Sequence, residues 1–263
     1  MTGGQQLRGA IIGLLGFAAA EEQMLLAAAP AGEPGDPACW AALPVIAHNT
    51  EFKRQQVQRL RAVRLGQVPP EFPEVDHASA ETYRGYAARP ADEVAEESRQ
   101  VAAELTEGLT WVSDDDLRDP SRHPWLRGRQ LWLQIIVRGF WHPTGHLGGY
   151  YLAHARPDRA LALAMHGVAT AGYLGAPGPA RGMASYNLAC AQARANLPDQ
   201  AAVTLREAIG LNPDVRVNAR SDPDLARAPR QRAPRGRAGP LIAARPQNRP
   251  VVRSRSGSGR RGR

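Results

Sequence analysis

The chain is organised around the sequence WHPTGHLGGYY, which occupies residues 141–151. It contains two histidines four positions apart, His142 and His146. Side chains at that spacing lie above one another on the same face of a helix. Two imidazoles on one face form the smallest helical platform for a divalent metal ion. The same spacing also occurs among ordinary core and surface histidines, so this stretch alone leaves both interpretations open.

A metal site of this kind needs a third ligand, and an earlier segment supplies one. Residues 43–49 read LPVIAHN and begin a stretch in which apolar residues recur at helical spacing. His48 lies on or beside the apolar stripe, where a buried imidazole requires a partner for its ring nitrogens. The sequence therefore offers His48, His142 and His146 as a three-histidine set.

Pro143 stands between the two later histidines, inside a predicted helix. Its ring crowds the carbonyl of Gly139, four residues earlier, and its missing N–H removes one hydrogen bond. We therefore expect a kink or a break in the helix at this point. Two outcomes are open: the bend turns His142 inward, or it separates the two histidines and destroys their common face.

The periodicity of the sequence predicts helices and no strands before residue 220, so we expect an all-α protein. Pro and Gly clusters separate the helical segments. Three aspartates at positions 114–116 follow a serine and are expected to be cap and turn residues rather than metal ligands. The predicted helices span about residues 5–29, 44–63, 92–109, 160–173, 181–195 and 199–209, and a further helix starts near residue 129 and carries the two histidines.

The positive charge of the chain is concentrated at its end. Residues 227–263 contain twelve arginines and no acidic residue, which exceeds the net charge of +8 of the whole chain. The preceding residues therefore carry a net negative charge, and we do not expect nucleic acid as a partner. The basic tail is low in complexity and is predicted to be disordered. It is either an electrostatic arm or the out-of-frame end of a GC-rich gene, and we favour an out-of-frame or neutral tail.

The two cysteines and the first predicted helix indicate the cellular location of the protein. Cys39 and Cys190 show no metal-binding or disulfide spacing, which favours a reducing, cytoplasmic environment. Residues 10–20 are apolar and resemble a signal peptide, but Glu21 and Glu22 interrupt the run. We expect an amphipathic first helix and no membrane association.

Residues from about 5 to 170 resemble the DinB/YfiT-like superfamily of four-helix bundles. The matching segments are residues 40–48, WAALPVIAH, and residues 141–151. In that superfamily a histidine follows an apolar run on one helix, and a later helix supplies an H-x3-H pair. The resemblance implies an up-down four-helix bundle over residues 1–172 and the metal ligands His48, His142 and His146. Pro143 departs from the pattern.

The resemblance also implies an activity, which is metal-dependent hydrolysis or transfer of a low-molecular-weight thiol. Three histidines leave coordination positions for water or a small-molecule substrate, and Zn²⁺ or Ni²⁺ is the expected ion. A homodimer is the assembly considered. The alternative is a non-catalytic bundle that binds a small molecule or a protein. Four neighbouring side chains are candidates to support the ligands, although each is more often a packing or surface residue: Asn49, Glu51, Tyr150 and Tyr151.

Residues 184–226 are similar to a terminal tetratricopeptide-type repeat. The segments that carry the similarity are YNLACA at 186–191, LREAI at 205–209, LNPD at 211–214 and SDPDL at 221–225. A single repeat must cover its apolar face against a neighbour, so we expect a helical hairpin over residues 180–226 packed on the bundle. Cys190 is expected to be a small core residue and not a nucleophile.

Overall fold

Helices make up most of the described chain, which comprises residues 3–72, 80–222 and 224–225 of a computed structural model. Those residues contain no β-strand, which confirms the all-α class. The elements are α1 (Gly3–Ala28), α2 (Ala42–Arg64), α3 (Ala80–Ala87), α4 (Ala91–Gly108), α5 (Asp114–Arg118), 3-10 turns at Pro120–Arg122 and Pro124–Leu126, α6 (Leu131–Ile136), a π-helical turn (Val137–Trp141), α7 (His142–Ala153), α8 (Pro157–Tyr173), α9 (Gly178–Arg194), α10 (Pro198–Leu211) and α11 (Val215–Ser221).

Helices α1, α2 and α4 pack against one another, and α1 and α2 also pack against the stretch from α6 to α7. Their apolar stripes meet in one cluster of fully buried side chains, which includes Ile11, Leu60, Leu105, Ile136 and Phe140. A second cluster joins the end of α1 and the start of α2 to α7 and α8, through Leu25, Ile46, Leu147 and Leu163. The two clusters hold α2 and α7 side by side, which positions the histidines that these helices carry.

Helices α9 and α10 form a closely packed pair whose α9 contacts α8. Gly182 permits the approach, because a Cβ at this position would lie 2.5 Å from Cβ of Asn212 and 2.9 Å from the carbonyl oxygen of Ala208. Cys190 is buried in the apolar cluster of this pair, as expected for a core residue. Its pKa is raised by burial and by the neighbouring carboxylate of Asp222, which also accepts a hydrogen bond from the hydroxyl of Tyr186. The predicted disorder of residues 227–263 lies outside the described residues.

Helix α1 buries one face and exposes the other. Leu7, Ile11 and Leu15 are buried against the bundle, whereas Met24 is exposed. Its segment Gln5–Ala28 also has the length and apolar composition of a membrane-crossing helix, a property that it shares with signal sequences and with core helices of soluble proteins.

The aspartates that follow Ser113 cap α5, as expected: Ser113 and Asp116 exchange the two hydrogen bonds of a capping box.

A buried ion pair joins α1 to α2. The ammonium of Lys53 contacts the carboxylate of Glu22, and their side chains are 3% and 0% exposed. Ser98 of α4 donates a hydrogen bond of 3.3 Å to the same carboxylate oxygen. Because a lone charge in this position would lose its hydration without compensation, the pair ties α1, α2 and α4 to one relative position.

We expect Glu22→Gln to lower the free energy of unfolding by about 3–5 kcal/mol, because it leaves the ammonium of Lys53 buried and uncompensated. The double variant Glu22→Leu, Lys53→Met should recover most of this loss, since apolar side chains of similar volume need no partner. Urea unfolding followed by circular dichroism measures both. Glu104→Gln is the matched control, because it removes a half-exposed pair with Arg61 and should cost less than about 1 kcal/mol. Equal costs for Glu22→Gln and Glu104→Gln would contradict burial of the pair.

Candidate metal centre

The π-helical turn at Val137–Trp141 shows how the helix accommodates Pro143. The turn widens the helix just before α7, and Pro143 falls in the first turn of α7. The N–H of His142 bonds the carbonyl of Val137, five residues earlier, so the backbone is already widened where the ring of Pro143 would crowd a regular α-helix. Thr144 donates to the carbonyl oxygen of Phe140 at 2.8 Å, which occupies one of the carbonyls beside the break. Of the two outcomes open from the sequence, the structure shows the first: His142 points inward.

The structure brings the three predicted histidines together. Nitrogen atoms of His48, His142 and His146, one from each ring, lie within 4.8 Å of one another. The residues are 0%, 5% and 7% exposed. We call this group the three-histidine cluster. It joins α2 to the first two turns of α7, so the i,i+4 face proposed from the sequence survives the break.

The distances within the three-histidine cluster fit a single metal ion. The Nε2 atoms of His48 and His142 are 2.9 Å apart. Two imidazole nitrogens bound to one tetrahedral or octahedral ion, with bonds of about 2.0–2.1 Å, lie roughly 2.8–3.4 Å apart. The nitrogen of His146 lies within 4.8 Å of both, so its side chain has to rotate toward them for one ion to bind all three. The set contains no carboxylate, and neutral nitrogen donors suit Zn²⁺, Ni²⁺, Cu²⁺ and Fe²⁺ rather than Mg²⁺ or Ca²⁺.

Aromatic rings surround the cluster. The ring of His48 lies 5.6 Å from that of Trp40 and 5.4 Å from that of Tyr86, both nearly perpendicular to it. Phe52 stacks on His142 with a centroid distance of 4.2 Å. These rings restrict the rotation of the imidazoles and limit access of water. These rings were not predicted as part of the site, although Phe52 follows His48 by one helical turn and was detectable by that spacing.

Four side chains were considered as support for the ligands. Three of them make contacts elsewhere, and the fourth has no hydrogen-bond partner among the described residues. Tyr150 donates to Glu33 at 2.6 Å, and burial together with this carboxylate raises the pKa of its hydroxyl. Glu51 pairs with Arg54. The ring of Tyr151 contacts the guanidinium of Arg159, and Asn49 is fully buried, with no partner for its amide among the described residues.

The remaining histidines lie outside the cluster or outside the described residues. His123 bonds the carbonyl of Asp116, and His154 contacts Glu33. His166 packs between Phe17 and Phe140. His77 falls among residues 73–79, which the structure does not describe. Leaving His123, His154 and His166 out of the proposed ligand set agrees with the described part of the chain, whereas the same prediction for His77 lies outside it.

No protein-family model, curated protein sequence or solved structure matches this chain.

A substitution at Gly139 tests whether the π-helical turn must approach α1 closely. A Cβ at this position would overlap Cδ2 of Leu15 and lie 3.3 Å from Cδ2 of Leu105. We expect Gly139→Ala to lower the free energy of unfolding by about 1–3 kcal/mol through overpacking. Gly145→Ala, in α7 with no atom within 4 Å of the added Cβ, should instead raise it by up to about 1 kcal/mol, because alanine favours the helix. Thermal unfolding compares the two, and a stabilised Gly139→Ala protein would rule out the close approach.

Proposed function

We propose that this protein is a metal-dependent enzyme whose divalent ion is held by His48, His142 and His146. The convergence of three buried imidazoles within 4.8 Å is the observation that carries the proposal. A metal ion bound by the three rings would offset the cost of burying them among aromatic side chains. Zn²⁺ and Ni²⁺ are the ions we expect, since both accept imidazole.

The chemistry follows from the donor set. A bound ion held by three neutral ligands would act as a Lewis acid, able to lower the pKa of a water molecule or of a thiol. The imidazoles themselves would fix the position of the ion, and the rings of Trp40, Phe52 and Tyr86 would exclude bulk water. We infer from this that the reaction is a hydrolysis or the transfer of a low-molecular-weight thiol to a small-molecule substrate, as the DinB-like resemblance suggests.

The same proposal includes the finer architecture. Packing of α1, α2, α4 and the α6–α7 stretch supports a DinB-like up-down four-helix bundle within residues 1–172. The close pair α9–α10, with Cys190 in its interior, supports a tetratricopeptide-like hairpin over residues 180–226. A cytoplasmic location, a homodimer and the absence of nucleic acid and membrane partners belong to this proposal as well.

A non-catalytic role is the second candidate, and one distance favours it. The contact of 2.9 Å between the Nε2 atoms of His48 and His142 is also a normal hydrogen bond between one protonated and one unprotonated ring nitrogen. A bundle stabilised by such a bond could bind a small molecule or a partner protein without a metal.

Metal content separates the two candidates. We expect about one equivalent of Zn or Ni per chain by mass spectrometry of the purified protein after metal loading. The double variant His142→Ala, His146→Ala should lose it, because one imidazole alone holds an ion weakly. His166→Ala, which removes a histidine outside the cluster, should keep it. No metal in the loaded wild-type protein would refute the metal site and favour the non-catalytic role.

Catalysis is tested with the metal-loaded protein. Panels of chromogenic esters and amides report hydrolysis, and panels of electrophiles with a low-molecular-weight thiol report transfer. Turnover in either panel should disappear on chelation and return on reloading. Stoichiometric metal without turnover in either panel would instead favour a metal-stabilised binding protein.

A further inference from the structure

Three arginines form a second polar cluster beside the histidines. Arg138 lies in the π-helical turn, one turn before His142; Arg59 lies on α2, and Arg129 just precedes α6. We call Arg59, Arg129 and Arg138 the arginine cluster. Burial and the charges of the other two arginines lower the pKa of Arg59 to about 10. Burial and Arg129 lower the pKa of Arg138, so the three guanidinium groups lie close enough to repel one another.

The arginine cluster lacks a carboxylate partner in the part of the chain that the structure describes. Three neighbouring arginines on α2 and before α4 pair with glutamates: Arg54 with Glu51 and Glu97, Arg61 with Glu104, Arg89 with Glu97. No ion pair of this kind joins the arginine cluster to described residues, and Nη1 of Arg59 is buried without a hydrogen-bond partner among them. Three like charges held together in this way are stabilised when an anion binds between them.

One phenyl ring connects the two clusters. The guanidinium carbon of Arg138 lies 4.9 Å from the centroid of Phe52, and the same ring stacks on His142 at 4.2 Å. The guanidinium carbon of Arg59 lies 4.5 Å from the centroid of Phe72. Aromatic contacts of this type hold an arginine in place while its N–H groups stay available to an anion. Arg129 is exposed, so the cluster is reachable from solvent.

We propose that the arginine cluster binds an oxyanion group, a carboxylate or a phosphate, of the small molecule whose reactive end is held at the three-histidine cluster. The planar fork of a guanidinium matches the two oxygens of such a group. The link to the reaction rests on the proposed function, whereas anion binding itself does not. The substrate class is therefore a small anionic molecule with its charged group about one aromatic ring away from the metal.

Two carboxylates of this chain are the alternative to an oxyanion ligand at the arginine cluster. Glu74 and Asp76 follow Phe72 in the sequence and fall outside the described residues. The double variant Glu74→Gln, Asp76→Asn distinguishes an internal ion pair from a ligand site, because it removes both carboxylates and leaves the arginines unchanged.

The test is isothermal titration calorimetry of the full-length protein with inorganic phosphate and, separately, with succinate. We expect saturable binding of at least one of them to the wild-type protein, and the stronger of the two identifies the oxyanion. Arg138→Gln and Arg59→Gln should each raise the Kd at least 10-fold. Arg206→Gln, an exposed arginine on α10, is the matched control and should leave the Kd unchanged. If Arg138→Gln fails to fold, Arg138→Lys keeps the charge and loses the fork, and should still weaken binding several-fold.

Three results would overturn the proposal: no binding of either anion to the wild-type protein, the same Kd in the Arg138, Arg59 and Arg206 variants, or binding that appears only after Glu74 and Asp76 are neutralised. Metal content is measured in every variant and should not change. Anion binding that depends on the arginines in a protein without metal would keep the oxyanion site and remove only its link to catalysis.

Discussion

The rest of the structure depends on the burial of α2. This helix is enclosed by α1, α3, α4 and α7, and its buried residues include His48, Asn49, Lys53 and Gln56 as well as its apolar stripe. A buried polar side chain costs free energy unless it gains a partner, and two of these side chains find theirs on other helices. Glu22 on α1 pairs with Lys53, and Ser98 on α4 donates a hydrogen bond to the same carboxylate. The histidines of α7 lie beside His48. Polar contacts therefore fix the helices around α2 in addition to apolar packing. A shift in their register would leave a buried charge without its ion pair or a buried imidazole without its neighbours.

The π-helical turn before α7 allows this helix to lie against α2 despite Pro143. A regular helix through residues 137–146 would place the ring of Pro143 against the carbonyl of Gly139. The π-helical turn removes this clash, and Gly139 lets the widened turn lie against Leu15 of α1. Arg138, in the same turn, contacts Phe52 of α2. The irregular turn therefore contributes to both the three-histidine cluster and the arginine cluster.

Much of the site could be predicted because it follows local rules. The all-α class and the long helices follow from apolar periodicity, and His142 and His146 follow from their spacing. Whether Pro143 would preserve that spacing was not decidable, since the π-helical turn depends on contacts with α1 that no local pattern encodes. The arginine cluster was missed for the same reason: its members are 70 and 9 positions apart and meet only through packing. The short helices α3, α5 and α11 contain too few turns to produce a periodic signal.

The ion pair of Lys53 also has a chemical consequence. Lys53 is the only lysine in the chain, and its side chain is 3% exposed. The folded protein therefore offers no surface ε-amino group for acylation, crosslinking or enzymatic modification of lysine. Because an amine reagent can attack this side chain only when α1 and α2 separate, the rate of lysine acylation measures how often the helical core opens.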